Sequence, residues 1–382
     1  MKVLLVNNYL SNTLGGVENY LQALVSFAAE NQKEVEFKWF GVADRKTKWH
    51  QKIKNQASTN AIINEIENFK PDLIHSFSIG TTVTPHFMVY AKRKNIPVIH
   101  SFRDYYYICP KNYMLDIRGK VLEKHGGVLD CVLHHHRKKN IFFDTLLALK
   151  QSYHKAIIKK NITYFLTPSD HLTQMIGASF EILGETLPNP VLISNAFLHE
   201  NTSEYLLFVG RLDPEKGVLT LLKAFQKTLE KFSNEQLKIV GSGSCQADLE
   251  HFVSKNNIQN VSFEGSKNRE ELKKLYAATK FTIVPSEILE SYGNVILESF
   301  SFGKTVIISD LLGIKKEIIE SKSGLVFPFG NVIELTNSIE KLLTNENLKN
   351  ELEQNAAKYV TTLSFENHFQ KLVFIYKKIL KV

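Results

Sequence analysis

Tyr205-Leu-Leu-Phe-Val-Gly-Arg-Leu-Asp-Pro-Glu-Lys-Gly-Val-Leu-Thr-Leu-Leu-Lys-Ala-Phe225 reads as a strand, a turn and a helix in succession. Tyr205–Val209 is apolar without interruption, as a strand buried on both faces would be. Gly210 to Gly217 (GRLDPEKG) carry turn chemistry. From Val218 to Phe232 apolar residues recur at helical spacing. A glycine turn that feeds a helix aims backbone N–H groups and the positive end of a dipole at one spot. Arg211 adds a planar fork and Lys216 a point charge. Such a set suits a diphosphate; it also fits a capped loop with two surface cations.

The same alternation runs outward in both directions. Before this stretch, Lys2–Asn7, Val35–Val42, Asp72–Ser76, Pro97–Ser101 and Thr163–Thr167 read as strands. Helical spacing falls at Val17–Ala29 and around Thr84–Arg93. After it, Leu237–Val240, Val261–Phe263, Phe281–Val284 and Thr305–Ile308 alternate with helical patterns at Ala247–Lys255, Arg269–Thr279 and Val295–Phe302. Strand–helix alternation of this kind predicts parallel sheets with helices on both faces, wound right-handed into doubly wound, Rossmann-like layers. Leu187–Ser203 holds Pro188, Asn189, Pro190, Asn195 and Asn201, which is linker chemistry at mid-chain. The reading is therefore α/β, with two Rossmann-like domains, 1–195 and 203–362, facing a cleft. A Lys-rich helix over 363–382 follows them.

Composition narrows the class. The chain has 382 residues, 43% of them hydrophobic and 23% charged, which excludes a disordered chain and makes two domains the natural expectation. No apolar run approaches the roughly 20 residues of a membrane span. The apolar core of the N-terminus, Val3–Val6, is shorter than a signal peptide's. Three cysteines make no disulfide framework, so a cytosolic location is expected. The formal charge is +8, and all of it sits in residues 1–190, with 24 basic against 16 acidic side chains. That half is suited to an anionic partner, or is simply solvated. Residues 134–160 interleave Phe142, Leu146, Leu149, Tyr153 and Ile157 with Lys150, Lys155, Lys159 and Lys160. A basic amphipathic helix of this kind suits an anionic membrane surface, at the inner membrane face. An ordinary helix with a charged outer face reads equally well. No nucleic-acid module is recognisable, so no nucleic-acid partner is expected.

Three further patterns carry chemistry. Glu290-Ser-Tyr-Gly-Asn-Val-Ile-Leu-Glu298 sets two carboxylates eight residues apart across a turn that opens a helix. N–H groups at Gly293, Asn294 and Val295 can meet phosphate oxygens, and Glu298 can accept from ribose hydroxyls. Gly15-Gly16-Val-Glu18 follows the first strand, and a double glycine lets backbone approach a ligand. Cys109, Cys131 and His134–His136 lack the second tight pair that a structural zinc site needs, so no metal is assigned. Gly241-Ser-Gly243 begins a dinucleotide fingerprint, but Gln246 stands where the third glycine belongs.

GGVE after the first strand, GRLDPEKG at mid-chain and E-x7-E before a helix, in this order, resemble the retaining GT-B glycosyltransferases of glycosyltransferase family 4. LTPSDHL at 166–172 and LKIVGSGS at 237–244 agree. The resemblance covers nearly the whole chain and is stronger after residue 205. It implies that the C-terminal domain holds a nucleotide-diphosphate sugar, UDP- or GDP-linked, and that the N-terminal domain holds a glycan or lipid-linked acceptor. No other cofactor is implied. It matches Arg211 and Lys216 to the diphosphate, Glu298 to the ribose, Glu290 to the transferred sugar, and Gly15 and Gly16 to a loop that closes on the donor. It also implies that the last helix crosses back to the N-terminal domain. The chain departs from the family at His100-Ser-Phe-Arg-Asp-Tyr105, where Asp104 aligns with the family's aspartate but Arg103 stands in place of a histidine. Arg103 stays cationic and suits a phosphate or an acidic acceptor. No Asp-x-Asp occurs in the chain, so the expected transferase works without metal. Two alternatives stay open: a binding or partner subunit without transfer, and another activity on a nucleotide sugar, such as epimerisation.

Overall fold

The computed structural model describes residues 1–10, 16–31, 34–43, 47–109, 114, 141–191 and 204–381. The chain divides into two compact units, Met1–Pro188 with His368–Val382, and Asn189–Asn367. Each is built on one parallel sheet of six strands. Most of the 187–203 linker stretch, residues 192–203, lies outside the described residues, as do Gly15, Cys131 and His134–His136.

In the first unit the strands are β1 (Lys2–Tyr9), β2 (Glu36–Val42), β3 (Leu73–Ser76), β4 (Val98–Ser101), β5 (Tyr164–Thr167) and β6 (Gly184–Thr186). They lie in the order β2-β1-β3-β4-β5-β6. The helices between them are α1 (Gly16–Asn31), α2 (Trp49–Ile53), α3 (Gln56–Phe69), α4 (Phe87–Arg93), α5 (Ile141–Asn161) and α6 (Asp170–Phe180). Val3 to Val6 are wholly buried because helices cover both faces of the sheet. Two of the helix starts have a clear local cause. Asn55 accepts from Ser58 N–H to cap α3, and Ser169 accepts from Leu172 N–H to cap α6.

The second unit carries β7 (Tyr205–Val209), β8 (Leu237–Val240), β9 (Val261–Gly265), β10 (Thr279–Val284), β11 (Val306–Ser309) and β12 (Gly324–Phe327). Their order is β12-β11-β10-β7-β8-β9. Its helices are α7 (Val218–Thr228), α8 (Gln246–Lys255), α9 (Arg269–Ala278), α10 (Asn294–Ser301), α11 (Lys315–Ser321), α12 (Val332–Thr344) and α13 (Glu346–Thr362). Leu206, Phe208, Leu221, Phe225, Ile239 and Ile283 form the centre of its core. The last helix, α14 (Phe365–Leu380), belongs to the first unit from His368 onward. There Phe369 packs on Phe27 at 5.2 Å between ring centroids, and Tyr376 bonds His75 of β3 at 2.6 Å.

Both sheets reverse strand order once. In the second unit the reversal falls between β7 and β10, which are neighbours; in the first it falls between β1 and β3. In open parallel sheets of this kind ligands bind beyond the carboxyl ends of the strands at the reversal. That rule places interest on the loops after β7 and β10, and after β1 and β3; the loop after β4 is the next neighbour of these.

Candidate functional site

The loops after β7 and β10 are tied to each other by backbone and side chains. Pro214–Lys216 form one 3-10 turn, and Gly217 then caps α7 with φ +68°. A methyl group at Gly217 would lie 1.9 Å from the Pro285 carbonyl oxygen, so only glycine lets the two loops meet. Glu287 N–H donates to the Glu215 carbonyl at 2.8 Å, and Thr220 donates to the Glu287 carboxylate at 2.6 Å.

This closure brings Lys216 to Glu290. Lys216 Nζ donates to Glu290 Oε1 at 2.8 Å, and Ser286 donates to the same oxygen. Both charged side chains are about one-fifth exposed, which leaves them shielded but reachable. Arg211 does not join them in the structure. It pairs with Asp213 and with Glu215, the latter at 3.3 Å, and stays mostly exposed. Asp213 is held in turn by Ser244, whose N–H and hydroxyl both donate to Oδ1 and keep the carboxyl below its usual range. The arginine therefore stands beside the turn, oriented by its own loop.

Gly293, with φ +105°, caps α10 and starts it at Asn294. The first N–H groups of a helix have no partner within it, so those of Asn294 and Val295 lie at a positive helix end a few residues after Glu290. Asn294 is exposed and accepts from Asn189 at 2.8 Å. Glu298, one turn further on, is exposed and accepts from the buried Tyr276 hydroxyl at 2.8 Å. The sequence reading passed over Ser286, Glu287, Thr220 and Tyr276. Only Glu215 had a visible signal, at i+4 from Arg211.

In the first unit Gly16 begins α1, and Glu18 in its first turn accepts from Asn7 of β1 at 2.8 Å. Arg103 and Asp104 follow β4 and line a recess of about 230 Å³ with Asn8, Gly80, Thr81, His100 and Tyr106. The guanidinium of Arg103 lies 4.7 Å from the Tyr20 ring centre. Asp104 keeps exposed surface and accepts from Tyr106 N–H at 3.0 Å; the protein crowding this recess raises its carboxyl above the usual range. His100 beneath is buried, and that burial pushes its imidazole down to about 3. Among the described residues no three His, Cys, Asp or Glu side chains are placed to hold a metal ion.

Residues 192–359 match the family Glycosyl transferases group 1. The matched stretch falls within the second unit, the one that carries the Lys216–Glu290 pair. Over nearly its whole length the chain is similar to an uncharacterized glycosyltransferase of Methanocaldococcus jannaschii, at 24% identity across 99% of both chains. It is 29% identical to an α-1,4-N-acetyl-D-galactosaminyltransferase of Campylobacter jejuni, over 56% of this chain and 62% of that one. That enzyme is named for a GalNAc-containing glycan on PP-undecaprenol as its acceptor. Among solved structures, HepE of Anabaena in complex with UDP superposes with a TM-score of 0.70, covering 99% of this chain and all of that one. At 14% identity this last likeness is one of fold. It makes the architecture of two parallel-sheet units that of the GT-B neighbours.

Proposed function

We propose that the chain is a retaining glycosyltransferase of family 4. It moves a hexosyl group from a UDP- or GDP-linked sugar to a hydroxyl of a glycan or lipid-linked glycan, of the cell-surface polysaccharide or lipopolysaccharide type. The observation that carries this reading is the Lys216–Glu290 pair, set where the order of the second sheet reverses and beside the N-terminus of α10. UDP in the HepE complex and the polyprenol-linked acceptor of the Campylobacter relative are consistent with it.

Glycosyl transfer leaves new negative charge on the departing diphosphate. Lys216, Arg211 and the N–H groups of Asn294 and Val295 are the groups of this chain that would stabilise it as it forms. Glu290 orients the Lys216 ammonium and faces the transferred sugar, and Glu298 receives the ribose hydroxyls. Retention without a defensible carboxylate nucleophile points to a front-face route, with the leaving phosphate accepting the proton of the acceptor hydroxyl. No step calls on a metal ion, because the cations supply the charge. Asp104 and Arg103 belong to the acceptor side.

The acceptor is met at a membrane surface. Helix α5 turns Phe142, Leu149, Tyr153 and Ala156 outward on one stripe that ends at Lys160, while Lys150, Gln151 and His154 point inward. Lys92 and Lys160 flank a groove of about 680 Å³ beside Tyr153. Apolar side chains facing water with cations around them suit an anionic lipid face. Among the described residues no helix is long and apolar enough to cross a membrane.

Calorimetric titration with UDP, GDP and ADP, without metal, tests the donor site. One base should bind saturably, and Lys216→Ala and Arg211→Ala should each weaken it at least about tenfold. Absence of binding by all three nucleotides overturns the assignment. Slow donor hydrolysis without acceptor would separate the transferase from a binding subunit, and conversion of the donor to an epimer would show the other activity.

A further inference from the structure

Two hydroxyls in the Arg103 recess are buried with nothing to bond. Thr81 Oγ1 and Tyr106 Oη make no hydrogen bond among the described residues. Buried polar atoms of a native fold are almost always paired, so two orphans in the wall of one recess ask for a ligand that pairs them. The recess also holds an exposed carboxylate, Asp104, and a guanidinium, Arg103. A hydroxylated ring with an acidic substituent answers all four.

How Arg103 is held there can be traced atom by atom. The Pro188 carbonyl accepts from His368 Nδ1 at 2.9 Å, and a carbonyl can only accept, so the ring carries its proton on Nδ1. Burial of His368 holds the ring neutral, with its pKa pushed down to about 3. Its Nε2 is then an acceptor, and the Tyr20 hydroxyl at 2.8 Å must donate to it. The Tyr20 oxygen is left with lone pairs only, and Arg103 donates to it. The chain from guanidinium to Tyr20 to His368 to Pro188 therefore has one direction throughout. His368 lies on α14, which follows the whole second unit in the chain, and Tyr20 lies on α1.

Resting on the transferase reading above, we propose that the Arg103 recess takes a carboxylate or phosphate carried by the acceptor sugar. His368 and Tyr20 are the positioning residues that aim Arg103 at it. The enzyme is thereby selective for an acidic acceptor. The competing source of the same anion chemistry is the diphosphate of the donor.

The chain has only seven arginines, so the Nε–H spectrum of protein labelled with ¹⁵N-arginine is sparse, and Arg103 and Arg211 report the two sites side by side. The probes are methyl glucuronoside, glucose 1-phosphate, uncharged methyl glucoside and UDP. The Arg103 signal should move saturably with at least one of the two acidic sugars and stay still with methyl glucoside and with UDP. Histidine variants divide the relay. His368→Gln keeps an acceptor near the Nε2 position for Tyr20, whereas His368→Asn keeps a donor near Nδ1 for Pro188. The Gln variant should bind the acidic sugar within a few-fold of the parent. The Asn variant and Tyr20→Phe should weaken it at least about tenfold. The opposite ranking would make His368 a mere pin on Pro188 and overturn its positioning role. Movement of Arg103 by UDP would assign the anion to the donor, and no response to either acidic sugar would remove the site. An Arg211 signal that also ignores GDP and ADP, added in parallel with UDP, would instead sink the donor reading. Arg93, on α4 of the same unit as Tyr20 and His368, keeps its parent shift in each variant whose fold is intact.

Discussion

A methyl group is all that separates glycine from alanine, and at position 217 it would collide with the carbonyl of Pro285 at 1.9 Å while asking for a positive φ. Gly217→Ala should lower stability by more than about 1 kcal/mol and push the loops after β7 and β10 apart. Thermal denaturation would show the first effect and weaker nucleotide binding the second. A loss of stability with unchanged nucleotide affinity would mean that the two loops need not touch for binding. This is also where the sequence is most and least informative. GRLDPEKG announces a turn, because Gly, Pro and Asp each favour one for a stated reason. It does not announce that Lys216 reaches across to Glu290 while Arg211 stays with Asp213 and Glu215. Which of two nearby cations crosses to another loop depends on tertiary approach, and no spacing encodes it.

Among the elements, α5 was the least legible. Its apolar residues face both ways, so periodicity separates no inner from outer side. The inner side carries Lys150, whose ammonium lies 5.7 Å from the Tyr106 ring centre, and His154, which bonds the Ile53 carbonyl at 2.7 Å. The outer side carries Phe142, Leu149 and Tyr153 together with Lys160, and the inner side buries Ala148 and Ile158 beside Lys150 and His154, so both sides are mixed. Replacing Phe142, Leu149 and Tyr153 together by serine should abolish co-sedimentation with anionic vesicles at low salt. Stability should hold within about 0.5 kcal/mol per site, since all three are exposed. Sedimentation equal to the parent's would remove the membrane from the proposal. Strands were read well where five or so apolar residues run together, as at Val3–Val6 and Tyr205–Val209. The edge strands β6 and β12 passed unnoticed, because three or four residues opening on a glycine make no such run. Helix α3 opens with Gln56, Ser58, Thr59 and Asn60, and its buried face includes the polar Ser58 and Thr59 before the apolar Ile62, Ile66 and Phe69.

For the molecule as a whole, acid should act unevenly. His75, His100, His154 and His368 are all buried, and all belong to the first unit. Burial lowers each of them, His100 and His368 to about 3 and His154 to about 4. Unfolded histidine titrates near 6.5, so between that pH and about 4 the unfolded chain binds more protons than the folded one. Stability is complete above about 6.5 and falls as pH drops through this window. Hydrogen exchange at pH 7 and pH 4.5 should show the first unit losing protection while the second keeps more of it. Equal loss in both units would show that these histidines do not govern acid unfolding.

Helix α14 has a consequence for the birth of the protein. The ribosome releases the strands of the first sheet early, yet His368, Phe369 and Tyr376, which fill its core, emerge only after the whole second unit. At about 5–20 residues per second, the second unit occupies roughly ten to forty seconds of translation between them. Asn189–Asn367 is continuous and can fold as it appears, while the older half waits with Phe27, Phe37 and His75 uncovered. The nascent chain thus finishes its middle before its beginning, and its need for chaperones peaks during that wait.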